Sequence, residues 1–249
     1  MNDPQALPAE KPPILAVIMA RSGSVGLPGK SLRPLLGKPV IAYTFDHVRQ
    51  SQLITRTVIS SDDPAILALA KLHHLETILR PAELATSTSA TDPVLRHAVK
   101  TLYPHPSPLT PFAVVMLYGN IPIRAHDMID GSIQLLLDTD CDSVQTITTV
   151  GKFHPYWMFD RNHEGKISKH VPNNVFRRQD LPPLYSPTGA VYVMKTQTLM
   201  DAEGSPDPHA FLGTDRRGLV VAPEDSVDID TAKDFFLAEA VLRAANEKG

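Results

Sequence analysis

The sequence predicts an α/β fold with a mostly parallel sheet flanked by helices. Three observations carry that prediction. Short runs of branched apolar residues end in glycine- or aspartate-containing loops, stretches with helical spacing follow them, and the alternation recurs along the chain. The 249 residues, 43% of them hydrophobic, are enough to bury a sizeable core.

Ile14 to Met19 is an unbroken apolar run, the pattern of a strand buried on both faces. Pro39 to Gln50 carries Val40, Tyr43 and Val48 at helical spacing, with Pro39 suited to a first turn. Thr57 to Ser61 reads as a second strand. Asp62 is placed to cap the helix that follows through Leu72, with Pro64 near its first turn. Glu76 to Leu79 is a third strand, and a helix follows from Pro93 to Leu102. Phe112 to Tyr118 is a fourth strand, with Gly119 to Pro122 as its turn. Arg124 to Leu137 is predicted helical and Ser143 to Thr149 extended. Phe153 to Asn174 alternates aromatic and turn residues, which predicts a hairpin arm and not a second domain. Exposed aromatics on such an arm suit a partner surface. Thr231 to Ala245 is an amphipathic helix. Residues 1–13, rich in Pro, Ala and Glu, are expected to form a disordered tail before a single domain spanning 14–249.

Composition excludes several classes. A net charge of -3 leaves no basic footprint for nucleic acid. Cys141 is the single cysteine, so neither a disulfide framework nor a cysteine metal cluster is available, and a buried apolar role is expected for it. No apolar run approaches the ~20 residues of a membrane span. The start of the chain lacks a signal pattern, so a cytoplasmic protein is expected.

The first strand runs into Ala20-Arg21-Ser22-Gly23-Ser24-Val25-Gly26-Leu27-Pro28-Gly29-Lys30-Ser31. Glycines let backbone N–H groups approach an anion, and Arg21 and Lys30 add charge and donors. The loop is not G-x-x-x-x-G-K-S, because Ser24 stands where that motif needs glycine, and G-x-G-x-x-G fails too. On composition alone it is either a phosphate loop or a glycine-rich surface turn. Arg80, after the third strand, either points into the crevice above the sheet or forms a surface ion pair. Arg177 and Arg178 suit a carboxylate or phosphate, or else a solvated pair beside Asp180. His154 has no partner at metal-ligand spacing. On an extended segment Asp228 and Asp230 face the same way, an arrangement that a cation relieves. The alternative is that Asp230 caps the last helix.

Ala20 to Leu32 resembles the signature loop of the sugar-acid cytidylyltransferases, the CMP-sialic acid synthetase family. Leu79-Arg-Pro-Ala-Glu-Leu-Ala85 is similar to the family's second motif, Arg177 to Tyr192 to its third, and Ser226-Val-Asp-Ile-Asp-Thr231 to its last. The motifs keep the family's order and cover about Ile14 to Leu242. The resemblance implies a Rossmann-like nucleotidyltransferase fold, an arm at about 153–174 that reaches a second subunit of a homodimer, and transfer of CMP from CTP to a 2-keto sugar acid with release of pyrophosphate. The substrate is an N-acylneuraminate or related nonulosonate, and the product is a CMP-sugar for surface glycan biosynthesis. It also implies that Ala20, Arg21, Gly23, Ser24, Gly26, Lys30, Ser31 and Arg80 hold the nucleotide. Asp228 and Asp230 carry Mg²⁺ and, with Arg21 and Lys30, form the catalytic set. Tyr118, Asn120, Arg177, Arg178, Tyr185 and Thr188 take the sugar side.

Four departures accompany the resemblance. Val25 stands where the family commonly has a second lysine, and Ser31 where many relatives have asparagine. Leu-Tyr-Gly-Asn-Ile-Pro replaces the usual Leu-Gln-Pro-Thr-Ser-Pro and is closer to the Gly-Asp-x-Pro turn of other sugar nucleotidyltransferases. Thr188 replaces an asparagine. They leave open an eight-carbon acid, another base, or an inactive nucleotide-sugar binding protein.

Overall fold

A computed structural model describes residues 11–23 and 26–247. Most of the expected 1–13 tail, and Ser24 and Val25 of the glycine-rich loop, therefore lie outside the described residues. Seven strands form the central sheet: β1 (Ile14–Met19), β2 (Arg56–Ser61), β3 (Glu76–Leu79), β4 (Ala113–Tyr118), β5 (Ser143–Thr149), β6 (Tyr185–Lys195) and β7 (Arg216–Val220). Their spatial order is β7-β5-β6-β4-β1-β2-β3. The pairs β1–β2, β1–β4, β2–β3 and β5–β7 are parallel, while β6 is antiparallel to both β4 and β5. The sheet is thus mostly parallel, as predicted, with β6 the one reversed strand.

The helices are α1 (Val40–Gln50), α2 (Pro64–Leu72), α3 (Asp92–Leu102), α4 (Met128–Thr139), α5 (Thr196–Asp201) and α6 (Ala232–Asn246). β1 explains how they divide between two layers. Every residue of β1 is buried, and alternate side chains face opposite ways. Ile14, Ala16 and Ile18 pack with Ile41 and Phe45 of α1, Ile66 of α2 and Ile133 of α4. Leu15, Val17 and Met19 pack on the other face with Leu95 and Val99 of α3 and Leu199 of α5. A smaller cluster joins Leu27 and Leu35 of the first loop to Val227, Ile229 and Ala238 of α6. It clamps the loop after β1 onto the segment that carries Asp228 and Asp230.

The chain builds β1, β2 and β3 outward, then α3 returns it to the far side of β1 as β4. The gap between the carboxyl ends of β1 and β4 is therefore a topological switch point, where open α/β sheets bind ligands.

Three expectations need correction. Asp63, not Asp62, caps α2, its side chain accepting from the Ala65 amide at 2.8 Å. Arg124 is not helical: Ile123–Arg124 pairs antiparallel with Ser226–Val227, and α4 begins four residues later. Asp230 does not cap α6, because Thr231 does, with Asp234 accepting reciprocally from the Thr231 amide at 2.8 Å. The 153–174 region contains the predicted hairpin, Phe159–Arg161 paired antiparallel with Ile167–Lys169 outside the central sheet. Phe153, Phe159, Ile167 and Phe176 are exposed. Cys141 is buried, as expected.

Candidate active site

At the switch point lies a cavity of about 440 Å³. The loop after β1 contributes Ala20, Arg21, Gly26, Lys30 and Ser31. Arg80 enters from the end of β3, and Thr86, Ser87, Ser89 and Thr91 line one rim. Tyr118 and Asn120 come from the end of β4, and Asp228 and Asp230 close the opposite side.

The loop is held at defined points. Leu27 is buried in the small apolar cluster, and Gly29, at a φ of 66°, turns the chain into the short 3₁₀ segment Lys30–Leu32. A left-handed φ of that size suits glycine. A side chain at Gly26 would collide with the Asp230 carbonyl oxygen, so loop and aspartate segment are in backbone contact. Lys30 Nζ donates to Asp230 Oδ1 at 2.7 Å, across 200 residues of sequence. Gly23 does not line the cavity but lies close to the Arg21 guanidinium.

Asp228 and Asp230 flank Ile229, whose side chain is buried while both carboxylates line the cavity. The period-two reading of this segment therefore holds. The Asn120 amide donates to Asp228 Oδ1, to the Ile229 carbonyl at 3.2 Å and to Asp230 Oδ1 at 3.5 Å. Burial, and then the neighbouring Asp230, push the Asp228 carboxyl up to about 6, with Lys30 opposing. Paired carboxylates under that strain fit a hard cation, whose other ligands would be phosphate oxygens and water. Among the described residues no group of three or more His, Cys, Asp or Glu forms a separate metal cluster.

Arg80 is buried, not a surface ion pair: Nε donates to Ser60 Oγ at 3.2 Å and Nη2 to the Ser60 carbonyl at 2.6 Å. Burial lowers its pKa to about 10, so it stays charged at neutral pH. Arg124 is a buried cation behind the cavity that the sequence does not single out. Its guanidinium donates to the carbonyls of Tyr118 (2.8 Å), Ile121 (2.6 Å) and Ala190 (2.8 Å) and to Thr44 Oγ1 (3.0 Å), tying down the turn that presents Tyr118 and Asn120. The run Thr86-Ser-Thr-Ser-Ala-Thr91 is hydroxyl-rich, but nothing in its spacing points to the cavity that it lines.

The other predicted sugar-side residues do not reach the cavity of their own chain. Arg177 forms a two-point pair with Asp180 at 2.8 and 3.0 Å. Arg178 lines a separate cavity of about 240 Å³ with His154 and Leu181 to Leu184. Thr188 Oγ1 lies 2.7 Å from Thr146 Oγ1, and Tyr185 is exposed at the start of β6. His154 Nδ1 accepts from the Tyr156 amide at 3.0 Å, and its Nε2 faces the Pro182 carbonyl at 3.2 Å, a structural role.

Comparison with known proteins points the same way. A family model described as cytidylyltransferase matches residues 15–201. The N-acylneuraminate cytidylyltransferase of Streptococcus agalactiae serotype V is 27% identical over 225 residues, 89% of this chain and 51% of the relative. The chain thus spans about half the length of that relative. The CMP-N,N'-diacetyllegionaminic acid synthase of Legionella pneumophila is 28% identical over 243 residues, 94% of this chain and 98% of the relative. Among solved structures, a CMP:2-keto-3-deoxy-manno-octonic acid synthetase complexed with CTP superposes with a TM-score of 0.71 at 17% identity, covering 94% of this chain and 99% of the other, which shows a shared fold.

Proposed function

The chain belongs to the cytidylyltransferase family, and on that premise we propose that it transfers CMP from CTP to a 2-keto sugar acid, an N-acylneuraminate or related nonulosonate, with release of pyrophosphate. The observation that carries this reading is the convergence of Arg21, Lys30, Arg80 and the Asp228–Asp230 pair on one cavity at the switch point.

Nucleotidyl transfer needs positioning and charge neutralisation more than covalent help from the protein. Arg21 and Lys30 hold the triphosphate, with backbone N–H groups of the 20–31 loop, and Ser31 and Arg80 hold the nucleotide. Asp228 and Asp230 hold Mg²⁺, which when bound neutralises phosphate charge. Tyr118 faces the sugar acid. Asn120, committed to the two aspartates, orders them instead of contacting the sugar. The domain acts as one unit over 14–249 in the cytoplasm. A homodimer formed through the 153–174 arm gives Arg177, Arg178, Tyr185 and Thr188 a route to the sugar side.

The test is pyrophosphate release with Mg²⁺, crossing the four nucleoside triphosphates with a panel of eight- and nine-carbon 2-keto sugar acids. Release with CTP and one class of acid is expected. Release with another nucleotide, or CTP binding without turnover on any acid, would replace this reading by another base or by a binding protein. Asp230→Ala is expected to abolish Mg²⁺-dependent turnover while circular dichroism stays unchanged. Retained turnover would remove Asp230 from the metal site.

A further inference from the structure

Asp62 directly follows β2, and its carboxylate is taken up by the phosphate loop. The Ser22 amide donates to Oδ1 at 3.0 Å and the Ser22 hydroxyl to Oδ2 at 2.6 Å. The helix beyond does not use this carboxylate, because Asp63 caps it. The same strand end holds two further parts of the site. The Ser60 carbonyl accepts from the Ala20 amide at 3.2 Å and from Arg80 Nη2 at 2.6 Å, and the Ser61 carbonyl accepts from the Arg80 amide at 2.8 Å. Residues 60–62 are therefore a junction from which both the loop and Arg80 are hung.

The charges agree with that role. Asp62 attracts Arg80, which Arg21 repels. Against its own burial, Asp62 is held below the usual carboxylate range by the Ser22 hydroxyl and amide. It stays ionised beside Arg80 and so offsets the repulsion that Arg80 feels from Arg21. Ser22's donors are already committed to Asp62, which leaves an anion to meet Arg21 and the Gly26–Ser31 turn.

We infer that Asp62 is a positioning residue for the nucleotide: it fixes the first turn of the 20–31 loop and keeps Arg21 and Arg80 together at the cavity. The inference rests on the nucleotide reading above. The test is calorimetric titration of CTP with Mg²⁺ into the full chain, its Ser22→Ala and Asp62→Ala variants and the double variant, beside steady-state kinetics. Loss of a charge-assisted pair predicts CTP binding weaker by about tenfold or more in Asp62→Ala and by less in Ser22→Ala. The double variant should be no weaker than Asp62→Ala, because both changes remove one interaction. The KM for the sugar acid should stay within about twofold, since its wall is not touched. Unchanged CTP affinity in Asp62→Ala, additive losses, or a lowered melting temperature with CTP binding intact would each overturn the inference. Should Asp62→Ala not fold, Ser22→Ala at its exposed position decides alone: weakened CTP binding supports, and unchanged binding refutes. A wild-type chain that fails to bind CTP would instead refute the nucleotide reading itself.

Discussion

At Gly26 a methyl group would enter the space of the Asp230 carbonyl oxygen, and backbone cannot swing aside as a flexible side chain can. Gly26→Ala should push loop and aspartate segment apart, lowering kcat/KM by roughly tenfold or more through misplacement of the reacting groups. The same displacement pulls on the apolar cluster that clamps the loop through Leu27, so the melting temperature should fall as well. Asp228 makes a prediction of opposite sign. Its carboxyl stands at about 6 against an ordinary 3.8, so the folded chain holds this proton more tightly than the unfolded chain does. The metal-free protein is therefore favoured below about pH 4 and loses that contribution as pH rises towards about 6. In EDTA, Asp228→Asn should melt above wild type at neutral pH, and the two should converge near pH 4. A wild-type melting curve that rises over this interval while the variant's stays flat would contradict the assignment. Arg21, Lys30, Asp228 and Asp230 were legible in the sequence because each stands in a short motif whose chemistry depends on close neighbours. The hydrogen bonds from Asn120 to the two aspartates were not, since they join residues 108 to 110 positions apart.

Between β4 and α4 the turn Tyr118 to Arg124 illustrates how an element is set by distant partners. Residues 124 onward have helical composition, yet Ile123–Arg124 is drawn into a two-residue ladder with Ser226–Val227. The fully buried guanidinium then replaces a regular hydrogen-bond pattern by donating to three carbonyls of the turn and of β6. Arg124→Met should leave those carbonyls without donors, at a cost of about 3 kcal/mol or more. Urea denaturation would measure it, and a loss below about 1 kcal/mol would show that water replaces the guanidinium. His47 touches the same guanidinium, its Nδ1 3.2 Å from Nη1, and burial followed by Arg124 lowers its pKa to about 3. Its neutral form thus contributes stability that is full above about pH 6.5 and is lost as pH falls towards about 3. The strands with the strongest apolar runs, β1 and β4, were plain in the sequence. β6 was not, because it opens with Tyr-Ser-Pro-Thr-Gly and bends through Gly189 at a φ of 76°. β7 was missed because Arg-Arg-Gly-Leu-Val has two apolar residues in five.

For the whole molecule, alternation of strands and helices made the layered fold and its mostly parallel sheet legible, but strand order and the reversed β6 arise from pairings far apart in sequence. The hairpin arm carries the remaining large-scale question. Phe159 and Ile167 on the paired strands, and Phe153 and Phe176 on either side of the hairpin in sequence, are exposed, Phe176 to 90%. Apolar surface gains roughly 25 cal/mol per Å² when covered, so such a group of side chains favours a partner. On the homodimer proposed above, a second copy of this chain would bring Arg177 and Arg178 towards the cavity that they do not line in their own chain. Phe159→Asp combined with Phe176→Asp should therefore shift the protein from dimer to monomer in sedimentation velocity. CTP affinity should be retained, because the residues proposed to hold the nucleotide, Arg21, Lys30, Ser31 and Arg80, line a cavity built from one chain. Turnover of the sugar acid should fall with the dimer fraction and recover at high protein concentration if any association persists. A wild-type chain that sediments as a monomer at every concentration, or a monomeric variant with full turnover, would detach the arm from catalysis and leave the sugar side to Tyr118 and its neighbours.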